Sequence, residues 1–564
     1  MEQNASTQNT SHRPTRTAVL AHLRQNWYLP ISAMGFFLPE LQGAEYDTTE
    51  LSLILAFLVI AAFSAWMPNL WQTTHTLPWY AQCWVLLSAL GVCWHCGSFG
   101  SIMFSGHPLM LTLADMFGSS ADLSRVFAVG CALLGFPFVY VALSYLWVQL
   151  WQLAKNLALF SALKPAERLL YILLAAGFLV YAGYAFYSST GFYSATNEGY
   201  DIVYTADTDS LFNNMAYLAL TFVENDLRQP LFAVFSAPFA GAPYLLAQLA
   251  VFSTPTQAVL LNSVQVLMIL TANLMLTHLV CHTPVKRVCF MLALSATYTT
   301  LLNAIMLEQY VTAYFWLMVA VCTICTRTQK NPLGFFGATG SLLTSVALLP
   351  WMSSQSPRQS LKGWVVGMIK TALGFVVLML ACARFDVIYS VFAKLASLFK
   401  FTGGSLAFSD RLKQYLSFLH DCFFRPAAQV SQGFAPDGIL SWRLDPVTSI
   451  NVCGVILLVL ILLSGVLNRD KLTSRFALYW SAFSFLLLAV IGWGTWEIGL
   501  ILYSLYFGWA LFTLIFQLIE WCETRLGISW LLPLLSAIAV VLMLWINVPG
   551  IREIIDYCTT LFPT

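Results

Sequence analysis

From Ala258 to Val280 the chain reads AVLLNSVQVLMILTANLMLTHLV, with no Asp, Glu, Lys or Arg in the run. A helix needs roughly 20 mainly apolar residues to cross a hydrocarbon core, and this run meets that length. Closed barrels are the other way to satisfy backbone polar groups in lipid. Barrel strands alternate polar and apolar residues, which this run does not do. The same character extends along the chain: 9% of its 564 residues are charged and 59% are hydrophobic. A soluble domain carries about a quarter charged residues, so this surface is not built for water. The expected fold class is all-α, a polytopic transmembrane helical bundle with outer juxtamembrane helices.

Spans are expected over 20–42, 50–67, 79–99, 124–151, 168–188, 257–281, 288–306 and 310–326. One more falls within about 366–392, and four follow at 450–467, 476–492, 497–520 and 528–548, about thirteen in all. Short cytoplasmic loops carry Lys and Arg. Lys155, Lys164 and Arg168 mark one such connection; Lys286 with Arg287, Arg327 with Lys330, and Arg469, Lys471 and Arg475 mark three more. These agree in sidedness only if 189–256 faces outside without a full crossing. Residues 230–252 are apolar enough to be mistaken for a span. With Pro230, Pro238, Pro243 and Gly241 they read instead as a broken, juxtamembrane or partly re-entrant segment. The same parity makes 334–352 a re-entrant or interfacial piece. Within the polar segment 393–447, LKQYLSFLHDCFF is amphipathic and expected on the membrane surface.

The domain organisation follows. Residues 1–160 form a cytoplasmic tail with additional transmembrane helices, and 161–392 a transmembrane module carrying the acidic outer loop 189–256. Residues 393–447 form an extracytoplasmic loop and 448–564 the C-terminal transmembrane helices. The polar N-terminus has no short apolar core of a cleavable signal. A multi-pass protein of the cell membrane with its N-terminus in the cytoplasm is expected. The net charge of +1 excludes a general nucleic-acid footprint, so no nucleic-acid partner is expected. Cys93 with Cys96 and Cys322 with Cys325 have zinc-like spacing, but each pair stands alone in apolar sequence and reads as packing. His278 and His282, one turn apart beside Lys286 and Arg287, read as helix-end residues.

The outer loop concentrates Glu198, Asp201, Asp207, Asp209, Glu224 and Asp226 against a single Arg228. It is either a solvated acidic rim or a site holding a general base or a metal beside a lipid headgroup. Asp207-Thr208-Asp209 is followed by Asn225-Asp226-Leu227-Arg228-Gln229-Pro230-Leu231-Phe232, which leads into the apolar segment. Leu307-Glu308-Gln309-Tyr310 stands at the outer turn between two spans, where an ionisable group is costly. Across residues 165–330 this order resembles the GT-C superfamily of membrane glycosyltransferases, among them the protein O-mannosyltransferases and the aminoarabinose transferase of lipid A. That family closes its loop on a His/Arg-Pro-Pro-Leu-type motif; Arg228-Gln229-Pro230-Leu231 has Gln at the first proline position.

The resemblance implies transfer of a sugar from a polyprenyl-phosphate donor to an extracytoplasmic glycan, lipid or protein acceptor. It implies a catalytic acid in the loop, at Asp207 or Asp209. Asp226 is the alternative base, with Arg228 then its ion-pair partner. Arg228, Glu308, Gln309 and Tyr310 are the substrate-binding candidates, and a divalent cation beside Asp209 and Glu308 is the one cofactor in view. The competing reading is a multi-span transporter or lipid flippase, which would bury charges at mid-span.

Overall fold

The computed structural model describes residues 26–43, 54–55, 57–60, 62, 76–105, 120–193, 202–204, 206, 208–213, 215–220, 227–326, 332–353, 360–384, 387–388, 391, 402, 406–432, 440–495 and 500–564. Most of the expected span 50–67 lies outside them, as do Arg327 and Lys330. Ten helices among the described residues are long and apolar enough to cross a membrane, or eleven if one bent pair counts as a span. The chain divides into two compact units, Met1–Val148 with Val377–Phe385, and Gln149–Val376 with Asp386–Thr564.

The smaller unit contains α1 (Tyr28–Gly43), α2 (Trp79–Ser105) and most of α3 (Ser120–Asn156). Helices α1 and α3 meet closely where Gly35 faces Leu134 and Gly135 faces Phe36. Pro137 interrupts the α3 ladder there. The Ser32 hydroxyl donates to the Leu134 carbonyl at 2.6 Å and accepts from the Phe138 amide at 2.9 Å. A side chain thus bridges a rung beside the proline, as lipid requires of exposed backbone groups.

The larger unit begins with α4 (Pro165–Ser188), the short α5 (Thr208–Phe212), α6 (Phe232–Ala250) and α7 (Thr254–Val280). It continues with α8 (Pro284–Ser295), α9 (Tyr298–Ala304), α10 (Gln309–Thr326), α11 (Leu333–Ser341) and most of α12 (Leu361–Ala381). Next come α13 (Phe408–Asp421), the strands β1 (Ala428–Gln432) and β2 (Leu440–Leu444), and α14 (Val452–Leu467). Last are α15 (Leu472–Ser484), α16 (Ser504–Leu526) and α17 (Leu531–Leu561). The antiparallel β1–β2 hairpin, with Val430 opposite Trp442, is the one sheet among the described residues.

Sidedness is fixed by α4 and α7. At one end the Tyr187 hydroxyl meets Thr256 Oγ1 at 2.7 Å, and farther along Tyr171 meets Thr271 at 3.2 Å. At the other end Arg287 Nε lies 2.6 Å from Glu167 Oε1 and Nη2 lies 3.1 Å from Oε2. Lys286 bonds Glu520 at 2.9 Å and Lys471 bonds its second oxygen at 2.8 Å. The starts of α4, α8 and α15 and the last turns of α16 therefore share one basic end, the grouping expected for those Lys and Arg residues.

Because α4 and α7 are antiparallel neighbours, the chain between them leaves and returns at the opposite, acidic-loop end. Contrary to the expectation of a broken segment, α6 is one continuous 19-residue helix despite Pro238 and Pro243. Trp316 Nε1 donates to the Phe235 carbonyl at 3.0 Å, in the turn before the first proline. Helix α6 has the length and composition of a span. A single crossing by α6 would need a compensating one between α4 and α6, where the longest helix among the described residues has five residues.

Helix α11 rises along α10, with Gly334 against Ala320 and Gly337 against Trp316, so close that a Cβ at either would clash. The chain then turns back: Ser345 Oγ meets the Tyr506 hydroxyl at 2.7 Å and Trp351 packs on Phe476 at 5.2 Å. The chain over 334–352 thus doubles back on itself. The following span is Leu361–Ala381, earlier than the expected 366–392.

The expected span 288–306 is instead α8 and α9, bent by 64°. The bend frees backbone groups, and Asn547 Nδ2 takes up the Ala296 and Phe423 carbonyls, each at 2.9 Å. Helix α17 runs well past the expected end at 548, because Arg552, Glu553 and Asp556 extend it beyond the apolar stretch. Helix α13 does not keep its apolar face for lipid. Tyr415 packs on Phe485 and bonds Ser484, and Gly454 on α14 comes so near that a Cβ would strike the Leu416 carbonyl.

Reporter fusions after Pro230 and after Ser253 are expected to score on the same side of the membrane. Fusions after Ala162, Thr283 and Asn468 are expected on the other. Opposite readings for the first two would make α6 a crossing.

Candidate functional site

The acidic-loop end is built on the turn from α9 to α10. Glu308 ends that turn and is fully buried. Its backbone is held from both sides by one side chain on α7: Gln265 Nε2 donates to the Glu308 carbonyl at 2.6 Å, and Gln265 Oε1 accepts its amide at 3.3 Å. Three residues earlier on the same helix, Asn262 donates to the Ala304 carbonyl at 2.8 Å. The Glu308 carboxylate accepts from the Tyr310 amide at 3.4 Å, in the first turn of α10. A helix start favours negative charge at that point.

Tyr310 is the meeting point. Arg228 and Glu308 both act on it electrostatically, although they lie 80 positions apart in the chain. Its ring packs edge-on against Tyr503, centroids 5.0 Å apart. Tyr503 in turn accepts from Trp493 Nε1 at 2.8 Å. Gly494, at φ +73°, passes within 2.7 Å of the Tyr503 ring measured from where a Cβ would stand, and only glycine suits that backbone and that gap.

Arg228 is placed by its backbone. Its carbonyl accepts from the Leu343 amide at 2.8 Å, and the Leu231 amide donates to the Gly340 carbonyl at 2.9 Å. Residues 228–231 are thus strapped to the tip of the doubled-back piece. Gly340 faces Leu231 and Phe235 closely, which makes room for that contact. Tyr217 completes the group. Its buried hydroxyl has no hydrogen-bond partner among the described residues. Burial first, and the nearby Glu308 charge second, push it well above the usual phenol value.

Of the residues singled out from the sequence, Arg228, Glu308 and Tyr310 come together, with Gln309 buried beside them. Asp209 stands on α5, whose backbone is described while that side chain is not. Phe212 on α5 packs on Tyr193 at 5.2 Å, and Tyr193 on Phe186 near the end of α4. Asp207 and Asp226 lie outside the described residues, as do Glu198, Asp201 and Glu224. Among the described residues no three His, Cys, Asp or Glu side chains gather as metal ligands. Cys93, Cys96, Cys322 and Cys325 form no disulfide among the described residues, and His278 Nε2 pairs with the Leu159 carbonyl at 2.9 Å.

Three residues of this group were passed over in the sequence: Gln265, Tyr217 and Tyr503. The signal for Gln265 was present, since Asn262 and Gln265 are amides three apart in an otherwise apolar span and face one side of a helix. The loop is anchored nearby on the hairpin. Tyr204 and Trp442 exchange backbone bonds through Ile202, the Tyr204 and Tyr298 hydroxyls meet at 2.8 Å, and Trp442 Nε1 donates to Tyr204 at 3.1 Å. Beside them, burial holds the Asp421 carboxyl above its usual value, opposed by its 2.9 Å bond to His420. Compared with known proteins, the chain matches no family model, no curated protein sequence and no solved structure.

Replacing Gln265 by Leu strands a buried amide and a buried carbonyl on Glu308. The unfolding free energy in detergent is expected to fall by about 2 kcal/mol. Gln257→Leu, which removes only a solvent-exposed bond to the Phe252 carbonyl in the first turn of the same helix, is the control expected to stay near wild type.

Proposed function

We propose that this chain is a membrane glycosyltransferase of the GT-C kind. It moves a sugar from a polyprenyl-phosphate donor to an acceptor hydroxyl at the acidic-loop end. The observation that carries the reading is the convergence of Arg228 and the buried Glu308 on Tyr310, at the end of the bundle where the chain between α4 and α7 leaves and returns. In the reaction the acceptor oxygen bonds to the sugar carbon as the bond from that carbon to the phosphate oxygen breaks. The acceptor proton passes to a carboxylate, and the lipid phosphate leaves with the electron pair.

The base is a loop aspartate, Asp207, Asp209 or Asp226, because a carboxylate within reach of the hydroxyl can take its proton as the new bond forms. Arg228 binds the departing phosphate, whose oxygens match the planar fork of a guanidinium. Its charge is worth more in a site sheltered from water. Glu308, gripped by Gln265 and the start of α10, positions the acceptor or a divalent cation, whose Lewis acidity would further stabilise the phosphate. Tyr310, Gln309 and Tyr217 line the same place and orient the substrates. Membrane lipids surround the site, and the donor reaches it from the bilayer.

Alanine at Asp207, Asp209 and Asp226, tested singly with a radiolabelled polyprenyl-phosphate sugar, is expected to abolish transfer in at least one case at unchanged membrane abundance. Full activity in all three rejects the base assignment. Arg228→Lys keeps the charge and loses the fork, and is expected to lower turnover by about 100-fold. Gradient-driven uptake by purified protein in liposomes, with no transfer product, would mark a transporter or flippase instead.

A further inference from the structure

At the basic end, far from Glu308, a cleft of about 840 Å³ opens between the end of α7, the turn from α14 to α15 and the last turns of α16. That is the size range of a small-molecule site. Its charges are divided in a specific way. Lys471 is committed to Glu520 at 2.8 Å. Asp470 and Arg525, both lining the cleft, have no ion-pair partner among the described residues. The Arg525 guanidinium lies over the Trp521 ring, 5.5 Å from its centroid, which favours a cation at that spot.

Gln517 also lines the cleft and is 1% exposed. Its Nε2 donates to Thr473 Oγ1 at 2.8 Å, while its Oε1 has no partner among the described residues. The cleft therefore offers one uncommitted cation and one uncommitted carboxylate, both exposed. Val280, Leu467 and Leu472 supply apolar wall.

From this arrangement we infer that the cleft binds the headgroup of an aminophospholipid, a phosphate and a primary ammonium joined by a short linker. The phosphate takes the Arg525 fork. The ammonium is taken by the Asp470 carboxylate, which can accept more than one of its three N–H groups. A purely anionic headgroup meets Asp470 with the wrong sign, and a quaternary ammonium has no N–H to give. The cleft stands where the long helices end, which is the level of the headgroups, and the apolar wall meets the glycerol and first methylenes. This site is independent of the proposed sugar transfer.

The test uses the full chain in nanodiscs of phosphatidylcholine, with phosphatidylethanolamine or phosphatidylglycerol added, and reads the unfolding temperature. Phosphatidylethanolamine at saturating content is expected to raise it by about 3 °C, and phosphatidylglycerol by less. Asp470→Asn and Arg525→Gln are each expected to remove that rise while matching wild type in pure phosphatidylcholine. Equal temperatures with ethanolamine and choline lipids overturn the inference. So does a larger effect of phosphatidylglycerol, or an ethanolamine effect that both variants keep. Protection by soluble phosphoethanolamine in detergent without any effect of the lipid overturns the lipid as occupant.

Discussion

The antiparallel pairing of α4 with α7 sets the position of the rest of the larger unit. It is locked at one end by the bidentate contact of Arg287 with Glu167 and at the other by Tyr187 with Thr256. Once those helices are fixed, the chain between them must begin and end on one face, and the helices after α7 must alternate. The ion pairs that Lys286 and Lys471 make with Glu520 then bind three further helices to the same basic end. Such contacts at a bundle end have few charged competitors in a chain of this composition, so each is selective as well as attractive.

A second constraint is the cost of an unsatisfied polar group in lipid, and it explains where the irregular backbone lies. The bend between α8 and α9 is met by Asn547, the proline in α3 by Ser32, and the turn before α10 by Asn262 and Gln265. In each case a buried polar side chain from a neighbouring helix supplies the missing partner. The candidate site is one of these places. A turn that must be held rigidly for the sake of the backbone also holds Glu308 rigidly, and the doubled-back tip that needs a partner for Leu343 finds it in the carbonyl of Arg228.

The sequence was most legible where one physical quantity decides the answer. Hydrophobic run length located α4, α7, α10 and α14 to within a few residues, and the Lys and Arg positions assigned their ends. Run length misled where the polar face of a helix is served by protein. Helix α17 continues through Arg552, Glu553 and Asp556, and α13 spends its apolar face on Phe485 and Gly454. The prolines of 230–252 suggested a broken helix, yet Trp316 on α10 supports the disturbed turn and α6 runs straight through.

Sequence alone determined that this chain is helical and membrane-embedded, that its basic loops share a face, and that Arg228 and Glu308 are chemically out of place in so apolar a chain. Those follow from composition and from charges near span ends, which are local properties. Only the tertiary structure brought Arg228 and Glu308 to the same tyrosine, joined Gln265 to the Glu308 backbone, and opened a cleft with uncommitted Asp470 and Arg525. Those depend on which helix faces which, and in lipid that choice is made by close packing at glycines and by hydrogen bonds between distant residues.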